Sequence, residues 1–347
     1  MKRRLRIDRL LALLLALAAL GVSVWLARRH VMMMPSYLAA WLFLMAVPLG
    51  ALPLVMGAEL LGAAAAPIVP PLRRMLLLLP VAALFVVPIL LRLHATYDWT
   101  HEPLRGVGHA WFRPRFFIGR TIAYLAIWSV LALMFLWPPR ETAIRGRVGR
   151  AALGLMVHLA VGTLAAIDWA MSVDWHLGSS LFGLLLIATQ CATAGAAAML
   201  LAGRPPLAAP AFALLAVVAQ TVWITLHFLQ FLVAWSADKP DEAVWYLHRS
   251  HALGAAAEWL GLIAFGAALL LLLRARPWPS VLAAVAVVLL LTHLFEMFWL
   301  ITPGFRGRFV ITWGDGVAML GAVLVGGAML VTFGPRSHGS RVRHGAA

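Results

Sequence analysis

The length of its apolar runs constrains this chain most. About ten stretches approach or exceed the ~20 residues that carry a helix across ~30 Å of hydrocarbon. They lie near 9–27, 36–66, 74–93, 116–137, 151–170, 178–201, 207–235, 252–273, 279–301 and 314–333. Of the 347 residues, 63% are apolar and 12% charged, against ~25% charged in a soluble domain. The expected fold is therefore all-α, a polytopic membrane protein with about ten transmembrane helices. The second and seventh runs are long enough to tilt or to emerge from the bilayer. Pro48 and Pro53 in the second, and Pro80 and Pro88 in the third, predict kinks.

The net charge of +15 does not point to nucleic acid, because the basic residues sit in short loops and tails, where they set topology. With the N-terminus inside, cytoplasmic segments hold Lys2 to Arg9, Arg73, Arg74, Arg140 to Arg150, Arg204, Arg274, Arg276 and Arg336 to Arg343, the majority of the 28 Lys and Arg. Both termini are thus expected in the cytoplasm. Trp25, Trp99, Trp111, Trp175, Trp235, Trp245 and Trp313 fall at the outer span ends, where amphipathic rings form a belt. Lys2, Arg3 and Arg4 followed by Leu10 to Leu20 imitate a signal peptide, but Arg28, Arg29 and His30 stand where small cleavage-site residues belong. An uncleaved first span is expected.

The polar residues inside the apolar runs are few. Glu59, Asp168, Glu258 and Glu296 are acids, and His158, His227 and His293 accompany them. A carboxyl group in lipid is costly, so it turns to the bundle interior and marks function. Asp168, Asp174, His176, His227, Glu258, His293, Glu296 and Asp315 fall toward the outer side. Gln220, Trp223, His227 and Gln230 follow a helical stripe, His293 and Glu296 are i,i+3 neighbours, and His251 and Glu258 share a face. Together with Glu59 on the inner side and His158 in mid-span, these acids and imidazoles suit proton uptake, release or relay. The competing reading of each residue is interhelical glue.

A second set lies around the third and fourth spans. His94 and Asp98 could bond quinone oxygens, with Arg120 and Tyr124 beside aromatic walls; the bland alternative is an ordinary interfacial loop. The single cysteine, Cys191, makes no intrachain disulfide and no Fe–S cluster. No metal site is expected, and no cofactor held covalently or by metal ligation. Haem would need two facing histidines, and His158 and His227 differ in depth. No Walker A, HExxH or GxSxG sequence occurs. From residues alone, an ion-coupled secondary transporter and a structural membrane anchor remain open.

Three stretches carry a resemblance: Asp168-Trp169-Ala170-Met171-Ser172-Val173-Asp174-Trp175-His176 with Ser179, Phe182 and Gly183; Phe228 to Phe231 with Trp235, Ser236 and Glu242 to Leu247; and Leu91 to His101 with Phe116, Phe117, Arg120 and Tyr124. Over about residues 36 to 330 the chain resembles the NrfD/polysulfide-reductase-type membrane subunits, and more closely the ActF-type second quinone-binding subunit of alternative complex III, a bacterial quinol:cytochrome c oxidoreductase. The resemblance implies two four-helix bundles plus two peripheral helices, and a subunit without cofactors in the bacterial inner membrane. Its partners would be Fe–S and cytochrome c subunits and a sister membrane subunit of the same type. Quinol binding, proton conduction, or both would be its task. The expected organisation is an N-terminal tail and first span over 1–35, a first bundle region over 36–137, a basic cytoplasmic loop over 138–150, a second bundle region over 151–301, a last span over 302–333 and a disordered tail over 334–347.

Overall fold

The computed structural model describes residues 29–101, 110–137, 144–174, 176–202, 208–250 and 279–333, with isolated positions before 29 and between 263 and 270. The expected first and eighth spans (9–27 and 252–273) with Glu258 and His251, residues 138–143 of the basic loop, Trp175 and the tail 334–347 therefore lie largely or wholly outside the described residues. What is described is all helix. Six helical segments are long and apolar enough to cross a membrane, and Trp313–Ala328 is a shorter apolar helix. By helix length and hydropathy this is a multi-pass membrane protein.

The first of the six, Met34–Leu91, is a hairpin and supplies two of the expected spans. Its outgoing arm is α1 (Met34–Leu61), an unbroken helix through Pro48 and Pro53. It ends at Gly62, whose φ of 68° is left-handed backbone that glycine adopts without the strain of a Cβ. A 3-10 segment, Gly62–Ile68, turns the chain. The return arm is broken into α2 (Val69–Met75), α3 (Leu79–Leu84), α4 (Val87–Leu91) and α5 (Leu93–Thr96). Pro80 and Pro88 each sit in the first turn of a new piece, so they end helices where kinks were expected. Proline withholds an N–H and leaves nearby carbonyls short of a donor. At the break between α3 and α4, Trp41 Nε1 donates to the Ala82 carbonyl at 3.1 Å, which also accepts from the Phe85 N–H at 3.2 Å, and Tyr37 Oη donates to the Phe85 carbonyl at 2.8 Å. The two arms are thereby stitched antiparallel.

The remaining elements are α6 (Pro114–Leu136), α7 (Ile144–Trp169), α8 (Phe182–Leu201), α9 (Ala209–Ala237), the short α10 (Pro240–Leu247), α11 (Pro279–Arg306) and α12 (Trp313–Phe333). α1 and α8 form the central pair, with α7, α11 and α12 against α1, and α7, α9 and α11 against α8. In α8, 83% of the apolar window is buried, which accounts for its lack of a polar face. The pair meets at Gly50, where a Cβ would fall 1.9 Å from the Gln190 carbonyl oxygen. Outward faces keep Leu133, Leu153, Met156 and Leu324 exposed, as lipid-facing surface requires.

The expected tryptophan belt holds only in part. Trp25, Trp235 and Trp313 are exposed, whereas Trp99 and Trp245 are buried and Trp111 is half-buried. Two of these inner rings are committed to arginine partners.

Candidate functional site

The polar residues expected to share one outer region fall into separate hydrogen-bonded groups. In the first, Asp168 ends α7 with no exposed surface. Its carboxylate accepts from Arg120 Nε at 2.8 Å and Nη2 at 2.9 Å, from Trp111 Nε1 at 2.8 Å and from Tyr124 Oη at 2.9 Å. Arg120 also donates to the Trp111 carbonyl at 2.6 Å and stacks on the Trp111 and Phe116 rings at 4.1 and 4.5 Å. The forked, bidentate geometry is the strong form of this pair. Arg120 and Tyr124, expected around a quinone, thus join Asp168, expected in a proton path. His94 and Asp98 do not join them: both are exposed and neither bonds to this group among the described residues.

Just outside the membrane segment, Asp174 repeats the pattern. Arg249 Nη1 donates to it at 3.1 Å and to the Trp245 carbonyl at 2.8 Å, Nη2 donates to the Leu300 carbonyl at 2.8 Å, and the guanidinium stacks 3.7 Å above the Trp245 ring. His176 Nδ1 lies 2.8 Å from Asp174, with its side chain 47% exposed. Burial acts to raise the Asp174 carboxyl, but the Arg249 guanidinium and the His176 hydrogen bonds outweigh it and hold it below the usual carboxylate range. Arg249, 1% exposed, belongs to none of the expected sites. Its signal was the Trp-x-x-x-Arg spacing, which puts ring and guanidinium on one helical face.

A third group joins the start of α1, the end of α11 and the start of α12. Asp315 accepts from Arg306 at 2.7 Å and from Ser36 at 2.6 Å. On the opposite side of the bundle, Glu59 accepts from Arg73 at 3.1 Å and Arg150 at 2.8 Å, joining both hairpin arms to the start of α7. His158 is fully buried in mid-span without a hydrogen-bond partner among the described residues and lies 6.2 Å from the Trp128 ring.

Glu296 differs from all of these. Because α11 runs on to Arg306, past the expected span end at 301, Glu296 lies ten residues, ~15 Å, inside the helix end, deeper than expected. Its Oε1 meets Thr189 Oγ1 at 2.8 Å, Trp223 Nε1 at 2.9 Å and His227 Nε2 at 2.9 Å, and its Oε2 meets His293 Nδ1 at 2.8 Å. Behind it, His293 Nε2 lies 3.1 Å from Gln220 Oε1. The stripe expected on α9 is complete: Gln220, Trp223 and His227 reach this group, and Gln230 accepts from Ser179. Among the described residues no arginine contacts Glu296.

The chemistry of this group is adjustable. Thr189 Oγ1 also lies 3.0 Å from the Leu185 carbonyl. Its single proton goes to Glu296 when that group is ionised, or to Leu185 while its lone pair accepts from a protonated Glu296. As placed, both partners of His293 accept, the arrangement of an imidazolium. Turning the Gln220 amide over would present N–H to a neutral ring, and Gln220 Nε2 has no partner among the described residues to lose. His227 keeps 23% of its side chain exposed, whereas His293 and Gln220 are fully buried. The line from His227 to Gln220 covers seven residues of α9, ~10 Å along the helix. No family model matches the sequence and no curated protein matches it, so the functional reading rests on the geometry of these groups and on the resemblance of the motifs.

Proposed function

We propose that the chain is a membrane subunit of a quinol-oxidising respiratory complex of the alternative complex III type in the bacterial inner membrane, with both termini cytoplasmic. Its work in that complex is to move protons through the Glu296 group. Quinol releases two electrons and two protons on oxidation; the electrons pass to Fe–S and cytochrome c partners beside a sister membrane subunit. The observation that carries the reading is the Glu296 carboxyl held by two imidazoles, one partly exposed and one buried, with a threonine and a glutamine able to reorient with the proton. A buried acid of this kind marks function more often than packing, and the resemblance carried by the Asp-Trp-x-Met-Ser-x-Asp stretch supplies the quinol context. Quinol itself would dock at the edge of the Asp168 group, where the half-buried Trp111 and exposed Phe116 flank Arg120.

The transporter reading draws on the broken return arm, since discontinuous helices bind ions in transporters. The carbonyls at those breaks, however, already accept from Trp41 and Tyr37, which leaves the proposal with the stronger support.

The test is to purify the tagged chain in mild detergent with its complex, identify co-purifying chains, extract bound quinone and measure quinol oxidation before and after Glu296→Gln. Fe–S and cytochrome partners together with loss of turnover support the proposal. A partner-free, quinone-free chain, or unchanged turnover in an assembled Glu296→Gln complex, rejects it.

A further inference from the structure

A groove of about 410 Å³ opens between α6 and α7 on the half of the bundle that the basic-residue bias assigns to the cytoplasm. One wall is the α6 stripe from Ala126 through Val130 to Met134, and the other is Leu153, Gly154 and Val157 of α7. These walls are apolar along eight residues of α6, ~12 Å. The floor is fixed by Gly154, where a Cβ would come within 3.1 Å of both Met56 and Phe135. Val130 and Leu153 are more than half exposed, so the groove faces the surroundings of the bundle.

Its inner end is cationic. Arg150 lines it, and two guanidinium groups, Arg73 and Arg150, share the single carboxylate of Glu59. Among the described residues one positive charge is left over. The buried Arg150 Nε and Nη1 have no acceptor among the described residues, an arrangement that costs free energy unless an acceptor arrives. Arg147, one turn nearer the helix start and exposed, lies on the same face at i−3.

We propose that this groove binds an anionic phospholipid of the cytoplasmic leaflet, with an acyl chain between α6 and α7 and the phosphate on Arg147 and Arg150. The chemistry follows from the parts. A lipid-facing apolar channel of this length takes a hydrocarbon chain, and an uncompensated arginine at headgroup depth selects a negative headgroup over a zwitterionic one. A quinone ring, being neutral, would leave the surplus charge unmet.

The experiment uses the full chain in detergent, with retention of added phosphatidylglycerol or phosphatidylcholine read by native mass spectrometry and protection read by thermal unfolding. Phosphatidylglycerol is expected to be retained about tenfold over phosphatidylcholine, as two arginines at a membrane surface allow. Val130→Trp fills the groove from its exposed side, leaves the Glu59 pairs untouched and abolishes the preference. Arg147→Gln reduces it several-fold by a separate route. Inorganic phosphate at the same concentration gives no protection, which separates a lipid site from a bare anion site. Equal retention of the two lipids, an unchanged preference in folded Val130→Trp, or full protection by phosphate alone would overturn the proposal.

Discussion

The Asp168 and Glu296 groups look alike by count and differ in kind. Each is a buried carboxyl with four side-chain hydrogen bonds, one of them from a tryptophan; three side chains supply those of Asp168 and four those of Glu296. Asp168 is gripped by Arg120, and a guanidinium does not release its proton in a protein. Its other donors, Trp111 and Tyr124, are fixed as well. Glu296 is gripped by His227 and His293, a residue type that gains and loses a proton in the physiological range. Its hydroxyl partner has a second acceptor in Leu185. The same inventory of hydrogen bonds therefore makes a fixed ion pair in one place and, on the proposed function, a proton relay in the other, and the choice of base decides which.

The largest test of this contrast compares Glu296→Gln with Asp168→Asn in assembled complexes. Loss of a positioned proton-transfer group costs 10²–10⁴-fold, so Glu296→Gln should lower quinol-oxidation turnover by about that factor while the fold survives. Asp168→Asn, which loosens Arg120 at the proposed quinol edge, should raise the KM for quinol and leave kcat per folded molecule near the parent value. Equal losses would merge the two groups into one function. The second test concerns stability. Removing one partner of a buried ion pair costs about 3–5 kcal/mol, so Asp168→Asn should destabilise by that order in denaturant unfolding, because Arg120 is left buried without its counter-charge. Replacing both, as Arg120→Met with Asp168→Leu, should recover a substantial part. A double variant as unstable as the single would show that the pair is more than a clamp.

Much of this was legible in the sequence, and the failures have physical causes. Apolar run length placed the spans from 36 onward that the structure describes, and the 3,4,3 spacing on α9 together with the His293–Glu296 pair marked most of the side chains that meet at Glu296. Thr189 was missed because a hydroxyl inside an apolar run usually bonds its own helix, as this one also does with Leu185. Depth along the membrane could not separate Asp168, Asp174 and Glu296, because residues at similar depth on different helices face different neighbours. Arg120 and Asp168 were assigned to different tasks for the same reason: 48 residues separate them, and only the packing of α6 on α7 brings them together. Arg249 was hidden by its loop position, since topology rules treat loop arginines as solvated charge, whereas this one is covered by Trp245 and Trp299.

Asp174 sharpens the contrast at the membrane surface, because it has both kinds of base, Arg249 and the half-exposed His176. Its carboxyl is held below the usual range, so its contribution to stability is complete above the unfolded carboxyl value of ~3.9 and is lost as pH falls through the folded value. Acid unfolding followed by tryptophan fluorescence should therefore lose an increment below about pH 4 that Asp174→Asn lacks. His176→Gln should keep most of that increment, since Arg249 supplies the full charge. An acid limb unchanged in Asp174→Asn would show that this carboxylate does not stabilise the fold through its ionised form.

The smallest effects discriminate most finely, because they alter one donor and leave both carboxyls in place. Tyr124→Phe removes a neutral donor from Asp168 and should cost about 1.5 kcal/mol of stability, the lower end for a bond to a charged acceptor, with turnover unchanged. Thr189→Val removes a donor of the same class from Glu296 at about 1 kcal/mol, but it also removes the lone pair that would receive the proton of a neutral Glu296. A clamp needs only the donor; a relay needs both faces of the hydroxyl. Thr189→Val should therefore slow turnover several-fold beyond its stability cost, and Thr189→Ser, which keeps the rotating hydroxyl, should restore it. If Val and Ser behave alike in turnover, Thr189 serves only to hold Glu296 in place, and the proton path must pass through the two histidines without it.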